Sequence, residues 1–300
     1  MNIRLEKLSG KYVLGVSGGV DSMVLLDLMA RSNPESKKNI IVAHYDHGIR
    51  KDSKKDRLLV QKLSKKYGLK FYYKEGKLAT TTSEDLARKK RYQFLSQIKK
   101  QTNSDGIITA HHQDDLIETA FINMLRGTHY RGLFSLKDSA TIKRPLLNYS
   151  KKTIIDYAIK NKLSWNEDST NKNTKYLRNY LRINILPKLS EEDRLKIINL
   201  INKNRIIGQE IDKIISKIYF EKVKKNQFSR LWFCSLDYEI QNEFIVYLLI
   251  RNKIKDYSTQ TIKRLTNSLK TLPNNVTIEI SKQNFFIINK DKVLFKNHKS

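Results

Sequence analysis

A single cysteine stands among the 300 residues, and no apolar run approaches the length needed to cross a bilayer. One cysteine, Cys234, excludes a disulfide or a thiolate cluster for zinc or iron–sulfur within one chain. Beside Trp232 and Phe233 it reads as a small buried apolar residue. The longest apolar stretch, residues 244–250, falls far short of the roughly 20 residues a spanning helix requires and reads as a buried helix. The N-terminus lacks the basic region, long apolar region and small-residue cleavage site of an export signal, which predicts a cytoplasmic protein with no membrane partner. Acidic residues are also scarce: 30 Asp and Glu against 58 Lys and Arg give a formal net charge of +28. Such a field favours a polyanionic partner. Much of the excess is lysine scattered among Asn and Ile, a composition an AT-rich genome produces without selection, so charge supports nucleic-acid binding without establishing it. No internal repeat or low-complexity linker is present.

What is there begins at residues 17–22, Ser17-Gly18-Gly19-Val20-Asp21-Ser22, after the apolar run 12–16 and before the apolar run 23–29. The order is strand, glycine turn, helix. Adjacent glycines let the backbone turn tightly and approach a ligand, and the free N–H groups of the next helix's first turn favour an anion. No Gly-Lys-Ser/Thr follows, so this is not the loop that grips terminal phosphates with a lysine. A glycine pair alone fits an ordinary capped turn; six positions in this context favour a phosphate site. The loop resembles that of the ATP pyrophosphatases, which cut ATP between its α and β phosphates and leave AMP on a substrate oxygen.

The first half alternates strand and helix. Residues 40–43 read as a strand, 58–67 as a helix, 70–73 as a short strand, 83–98 as a helix capped by Ser83, 106–110 as a strand and 115–125 as a helix closed by Gly127. This predicts an α/β, doubly wound parallel sheet with ligands at the strand carboxyl ends. From about Pro187 the pattern turns helical, with Ile207, Ile211, Ile214 and Ile218 at a helical period, and residues 276–280, 285–288 and 293–295 read as short strands. The expected division is a catalytic domain over 1–187 and a smaller, mainly helical domain with a short terminal β segment over 188–300.

Four clusters carry possible chemistry, each with a plain structural reading beside it. His44, Asp46 and His47 could ligate a metal or simply hydrogen-bond their loop. Asp114, Asp115 and Glu118 open a helix, where the macrodipole stabilises acids regardless of function. Asp115 and Glu118 nevertheless share a helical face, and could bind a cation, take protons from an amine or hold Mg²⁺ against phosphates. Glu84 and Arg88 are spaced for an exposed ion pair, and Arg91 could point into the cleft. Arg178 and Arg182, four apart, are either solvated or set to grip phosphates.

Taken in order over roughly residues 10–190, these segments resemble the tRNA(Ile)-lysidine synthetases: SGGVDS at 17–22, HYDHGIR at 44–50, EDLARKKRY at 84–92, TAHHQDDLIET at 109–119, LRG at 125–127, RPLL at 144–147, and WNEDSTN from 165 followed by YLRNYLR and ILP up to 187. The resemblance implies an adenine nucleotide alpha hydrolase-like fold and a two-step ligation. ATP adenylates the C2 oxygen of the wobble cytidine in a CAU-bearing isoleucine tRNA; the ε-amine of free lysine then attacks C2 and expels AMP. It further implies ATP on Ser17, Gly18, Gly19, Val20, Asp21 and Ser22 with Mg²⁺ as the accompanying ion, lysine held by Asp21, Arg91, Asp115 and Glu118, catalysis by Asp21, Asp115 and Glu118, and ATP or tRNA phosphates on Arg178 and Arg182. Metal ligands are not assigned. Longer family members carry a further C-terminal domain that helps read the acceptor stem, and this chain is too short to hold all of it. The oligomeric state stays open, a homodimer being one reading.

Three other readings stand beside this one. A tRNA thiolase or amide-forming synthetase of the same superfamily is disfavoured by the missing cysteine pairs and the absence of an evident glutaminase domain. A metal-dependent phosphohydrolase would use His44, Asp46, His47, His111, Asp114 and Asp115. A basic RNA-binding protein without turnover leaves the Ser-Gly-Gly loop without a purpose.

Overall fold

Strands and helices alternate along the first 160 residues of the computed structural model: β1 (Tyr12–Gly15), α1 (Val20–Ser32), α2 (Ser36–Asn39), β2 (Ile40–Asp46), α3 (Ser53–Lys66), β3 (Lys70–Glu75), α4 (Glu84–Gln101), β4 (Gly106–Ile108), α5 (Gln113–Leu125), β5 (Ile142–Lys143) and α6 (Lys151–Lys160). The structure describes residues 3–6, 8–32, 36–48, 53–76, 82–166, 177–254 and 257–297, without the side chains of 36, 37 and 84. Ile49, Arg50, residues 167–171, Tyr176 and the Glu84 side chain, all named above, lie outside it. The chain folds as two compact units, residues 1–122 with 135–198, and residues 123–134 with 199–300.

In the first unit five parallel strands lie in the order β3-β2-β1-β4-β5. β1 pairs with β2 on one side, Tyr12 opposite Ile40, and with β4 on the other, Tyr12 opposite Gly106. The strand order reverses at β1, so the loop after it opens at the switch point where such sheets bind ligands. The central strands β1, β2 and β4 are mostly buried and largely apolar because both faces are covered, whereas the edge strand β3 carries Lys70, Lys74 and Glu75 and is largely exposed. Leu14, Val42 and Ile108 meet Met23, Leu26, Val60, Ile154 and Ala158 from α1, α3 and α6. Val13, Ile41, Ala43 and Ile107 meet Phe94, Leu95 and Ile98 of α4. Each such fully buried Leu, Ile or Phe contributes about 1.5–3 kcal/mol. Ser83 caps α4 by accepting the Leu86 N–H at 3.3 Å, and Ser150 caps α6 through Thr153 N–H at 3.2 Å.

Past residue 160 come the short helix α7 (Leu177–Tyr180), a π-helical turn at Leu181–Ile185, then α8 (Glu191–Lys222), β6 (Gln227–Ser229), α9 (Arg230–Ser235), α10 (Tyr238–Arg251), α11 (Thr259–Thr271), β7 (Val276–Ser281), β8 (Asn284–Asn289) and β9 (Lys292–Asn297). The second unit has an antiparallel sheet of order β6-β9-β8-β7, and its core is aromatic, with Phe233, Phe244 and Phe286 fully buried. Residues 244–249 supply five buried side chains, Phe244, Ile245, Val246, Leu248 and Leu249. The helical period of Ile207, Ile211, Ile214 and Ile218 falls within α8, whose buried face is Ile201, Gly208, Ile215 and Tyr219, with Ile207 and Ile214 exposed. Gly208 sits on that face because a Cβ there would come 2.7 Å from Phe134 Cζ. Cys234 is exposed, not buried, because the short helix α9 turns Phe233 into the core and its neighbour outward. Among the described residues no helix is long and apolar enough to cross a membrane.

Candidate functional site

Of the two loop glycines only Gly18 needs its conformational freedom, with φ of 95° and a would-be Cβ 3.0 Å from Asp56 Cβ. A Cβ on Gly19 would meet nothing nearer than Ser17 Oγ at 3.6 Å and would project into open space over the loop. Ser22, buried at the first turn of α1, organises the turn: its Oγ accepts the N–H groups of Ser17 and Gly18 at 3.1 and 3.2 Å and donates to Gly19 O at 2.8 Å. His44 supports the loop from β2. Its Nδ1 lies 2.9 Å from Val16 O and donates to it, so Nε2 is left as a buried acceptor without a partner, and burial lowers the imidazole pKa. A second brace comes from residue 166, whose N–H donates to Gly18 O at 3.1 Å and whose Nδ2 donates to Asp56 Oδ1 at 2.6 Å. Asn166 and Asp56 thus hold the loop in shape, a role that only a spatial view exposes.

His112 lies between Asp21 and Asp115 at this strand edge, and Arg182 joins Asp115 to Glu118. Asp114 N–H donates to His112 Nδ1 at 3.3 Å, which puts the proton on Nε2, 3.7 Å from Asp21 Oδ2 and 3.5 Å from Asp115 Oδ2. All three carboxylates are held by cations of the chain itself. Lys151 Nζ lies 2.6 and 2.8 Å from the two Asp21 oxygens. Arg182 spans the other pair, Nη2 to Asp115 Oδ1 at 2.9 Å and Nε to Glu118 Oε2 at 2.5 Å, and Arg178 contacts Glu118 Oε1. The π turn at Leu181–Ile185, anchored by buried Leu181 and Leu186, presents Arg182. His112 falls within the sequence cluster 111–115 but with no role assigned to it, and Lys151 is not marked by the sequence at all. Lys151 follows the Ser150 cap directly, a position that looks like an ordinary helix start.

The two neighbouring acids are driven apart electrostatically. Burial opposes ionisation of Asp115, but the imidazoles of His112 and His111, the Arg182 guanidinium and the His112 N–H it accepts bring its pKa down to about 2. Burial of Glu118 prevails over Arg182 and Arg178 and shifts its carboxyl up. His111 falls to about 3 because it is buried and the charges of Arg144, Arg88 and Arg91 act on it, against the pull of Asp115. Arg91, on α4, lies with its guanidinium 5.6 Å from the Tyr92 ring centre. Asp114 pairs instead with Arg194 at 2.7 Å. Asp46 accepts the Gly48 N–H at 2.8 Å, and His47 packs edge-on to Tyr45. Among the described residues no three His, Cys, Asp or Glu side chains come together to hold a metal. The hard-oxygen donor at the loop itself is the Asp21 carboxylate. It fits Mg²⁺, which keeps several waters and takes one or two carboxylates together with substrate phosphates.

A family described as the PP-loop domain matches residues 2–189. The tRNA(Ile)-lysidine synthase of Thermosipho africanus is 40% identical over 191 residues, covering 60% of this chain and 44% of that protein. That of Clostridium tetani is 34% identical over 271 residues, 87% of this chain and 56% of that protein. The chain spans about half the length of the curated relatives it matches. Among solved structures, the U34-tRNA thiolase of Methanococcus maripaludis with its iron–sulfur cluster superposes with a TM-score of 0.53 at 18% identity, over 66% of this chain and 72% of that one, a likeness of fold.

Proposed function

Given that the chain belongs to the PP-loop family, we propose that it is an ATP-dependent tRNA-modifying ligase of the lysidine-forming kind. It joins free L-lysine to C2 of the wobble cytidine in the CAU anticodon of isoleucine tRNA and releases AMP and pyrophosphate. The product reads AUA in place of AUG and marks the tRNA for isoleucine in place of methionine. Carrying this reading is one observation: beside a glycine loop at the switch point of a parallel sheet, Asp21 and Asp115 flank the His112 imidazole and Glu118 shares Arg182 with Asp115.

The chemistry runs in two steps. The cytosine C2 oxygen attacks the α phosphorus of ATP, the α–β bridge breaks, and pyrophosphate departs from the loop 17–22, where the N–H groups of residues 19–21 bind the departing charge. Mg²⁺ travelling with ATP, with Asp21 as its carboxylate, would offset phosphate charge when bound. The ε-amine of lysine then forms the C2–N bond and AMP leaves with the oxygen. A protonated ε-ammonium cannot attack. Ionised Asp115 suits an anchor for ammonium, and Glu118, shifted up by burial, suits the proton acceptor. Arg91 takes the lysine carboxylate, while Arg178 and Arg182 serve phosphates of ATP or tRNA. Residues 1–187 supply this machinery, and residues 188–300 bind tRNA, a role supported by the basic excess of the chain. A cytoplasmic location suits the substrate. The single cysteine supports ligation over sulfur transfer by a cysteine pair.

The test is transfer of labelled lysine to unmodified CAU isoleucine tRNA by purified protein with ATP and Mg²⁺. Lysine-specific labelling with AMP and pyrophosphate as products supports the reading. Equal labelling by the other amino acids, or ADP as product, refutes it.

A further inference from the structure

The pair assigned to the substrate's ammonium is already occupied by a guanidinium of the same chain. Arg182 reaches both Asp115 and Glu118 at once, and Arg178 takes the remaining Glu118 oxygen. A fork spanning two carboxylates is among the stronger charge-assisted contacts, so a free ammonium must displace it to bind. The Arg182 side chain is 40% exposed, whereas Glu118 is 2% exposed. The guanidinium therefore has a route to solvent and to ligands, and the carboxylate does not move with it. The backbone around it is pinned by Leu181 and Leu186, which leaves side-chain rotation as the cheap motion. A π-helical turn at this point is an irregularity of the type found at functional positions.

The nearest competitor for the guanidinium lies along the same row of contacts. Arg182 touches Asp115, Asp115 faces His112, and His112 faces Asp21 within the loop. A polyphosphate seated on that loop brings several negative charges into the neighbourhood of Arg182 and outcompetes two carboxylates for it. We infer that Arg182 is a positioning residue that reserves the Asp115–Glu118 pair until nucleotide is bound, then exchanges the carboxylates for phosphate and opens the pair to the ammonium of free lysine. Such an exchange makes lysine binding depend on nucleotide, and it places nucleotide binding before lysine entry. Lys151 on Asp21 is the same device at the loop itself: an ammonium already sits on the third carboxylate. This inference rests on the reading of Asp115 and Glu118 as the lysine pair.

Equilibrium dialysis of labelled lysine against the full chain, with and without α,β-methylene ATP and Mg²⁺, tests it. In the unmodified protein the nucleotide analogue should tighten lysine binding about tenfold or more. Arg182→Met should bind lysine without nucleotide about as tightly as the unmodified protein does with it, and should respond to the analogue less than about twofold. Arg182→Lys, which keeps the charge and loses the fork, should fall between them. Lysine affinity in the unmodified protein that ignores the analogue overturns the inference, as does weaker nucleotide-free binding by Arg182→Met. If lysidine is nevertheless formed, only the exchange has failed. If lysine binds under no condition and labels no tRNA, the proposed function fails with it.

Discussion

Two arginines in this molecule each span a pair of carboxylates, and they differ in access to solvent. Arg182 joins Asp115 to Glu118 with its side chain 40% exposed. Arg131, in the second unit, joins Glu243 to Asp212, the latter at 2.7 Å, with its side chain 10% exposed. Around Arg131 the polar groups close on one another. His129 Nε2 lies 3.3 Å from Glu243, the Tyr130 ring centre is 4.9 Å from the guanidinium, and burial pushes the Tyr130 phenol up to about 12. The same chemistry is a lock in one place and a latch in the other. Burial decides which, because a guanidinium enclosed on all sides has no competing ligand and one open to solvent does.

The contrast breaks most visibly in stability. Arg131→Met leaves Glu243 buried without its main counter-charge and should cost about 3–5 kcal/mol, measured by urea unfolding of the full chain. Arg182→Met should cost less than about 1 kcal/mol, since Arg178 stays on Glu118 and the lost pair is partly solvated. Equal losses at the two sites would erase the distinction. Next in size is a catalytic effect: Asp115→Asn should slow lysine transfer by about a hundredfold while adenylation changes only severalfold, so adenylated tRNA accumulates and can be trapped. Loss of adenylation in that variant would contradict the anchoring role. Gly19→Ala should weaken ATP about tenfold with an unchanged unfolding curve, because its Cβ fills the space over the loop and touches little of the protein.

The most gradual effect is a pH slope in the first unit. His111 is lowered from 6.5 to about 3 by burial and by the arginines around it. The unfolded chain takes up a proton near 6.5 that the folded chain refuses until about 3. The stability held by neutral His111 is therefore complete above about 6.5 and is lost progressively as the pH falls, at up to about 1.4 kcal/mol per unit. His111→Gln should flatten that slope in urea unfolding measured from pH 7 to 4, and an unchanged slope would remove His111 as its source.

Much of the first unit was legible in residue order because its central strands β1, β2 and β4 are mostly buried and read as apolar runs, and because Ser83 and Gly127 punctuate their helices. The loop was legible because Ser22 acts on neighbours within five residues. The i, i+3 spacing of Asp115 and Glu118 showed that they share a helical face, but not that Arg182 of the same chain reaches both. What stayed hidden acts across long separations. Lys151 is 130 residues from Asp21, and Asn166 is 110 from Asp56. A helix also has more apolar positions than it buries. α8 could not be oriented from its isoleucines, since Gly208, the residue with no side chain, marks its packed face.

The most direct measurement is a structure of the full chain with α,β-methylene ATP and Mg²⁺. The inner phosphates should lie on the N–H groups of residues 19–21, with the Arg182 guanidinium withdrawn from Asp115 and Glu118 toward phosphate. Nucleotide bound elsewhere, with the loop empty and Arg182 still spanning both carboxylates, would contradict it.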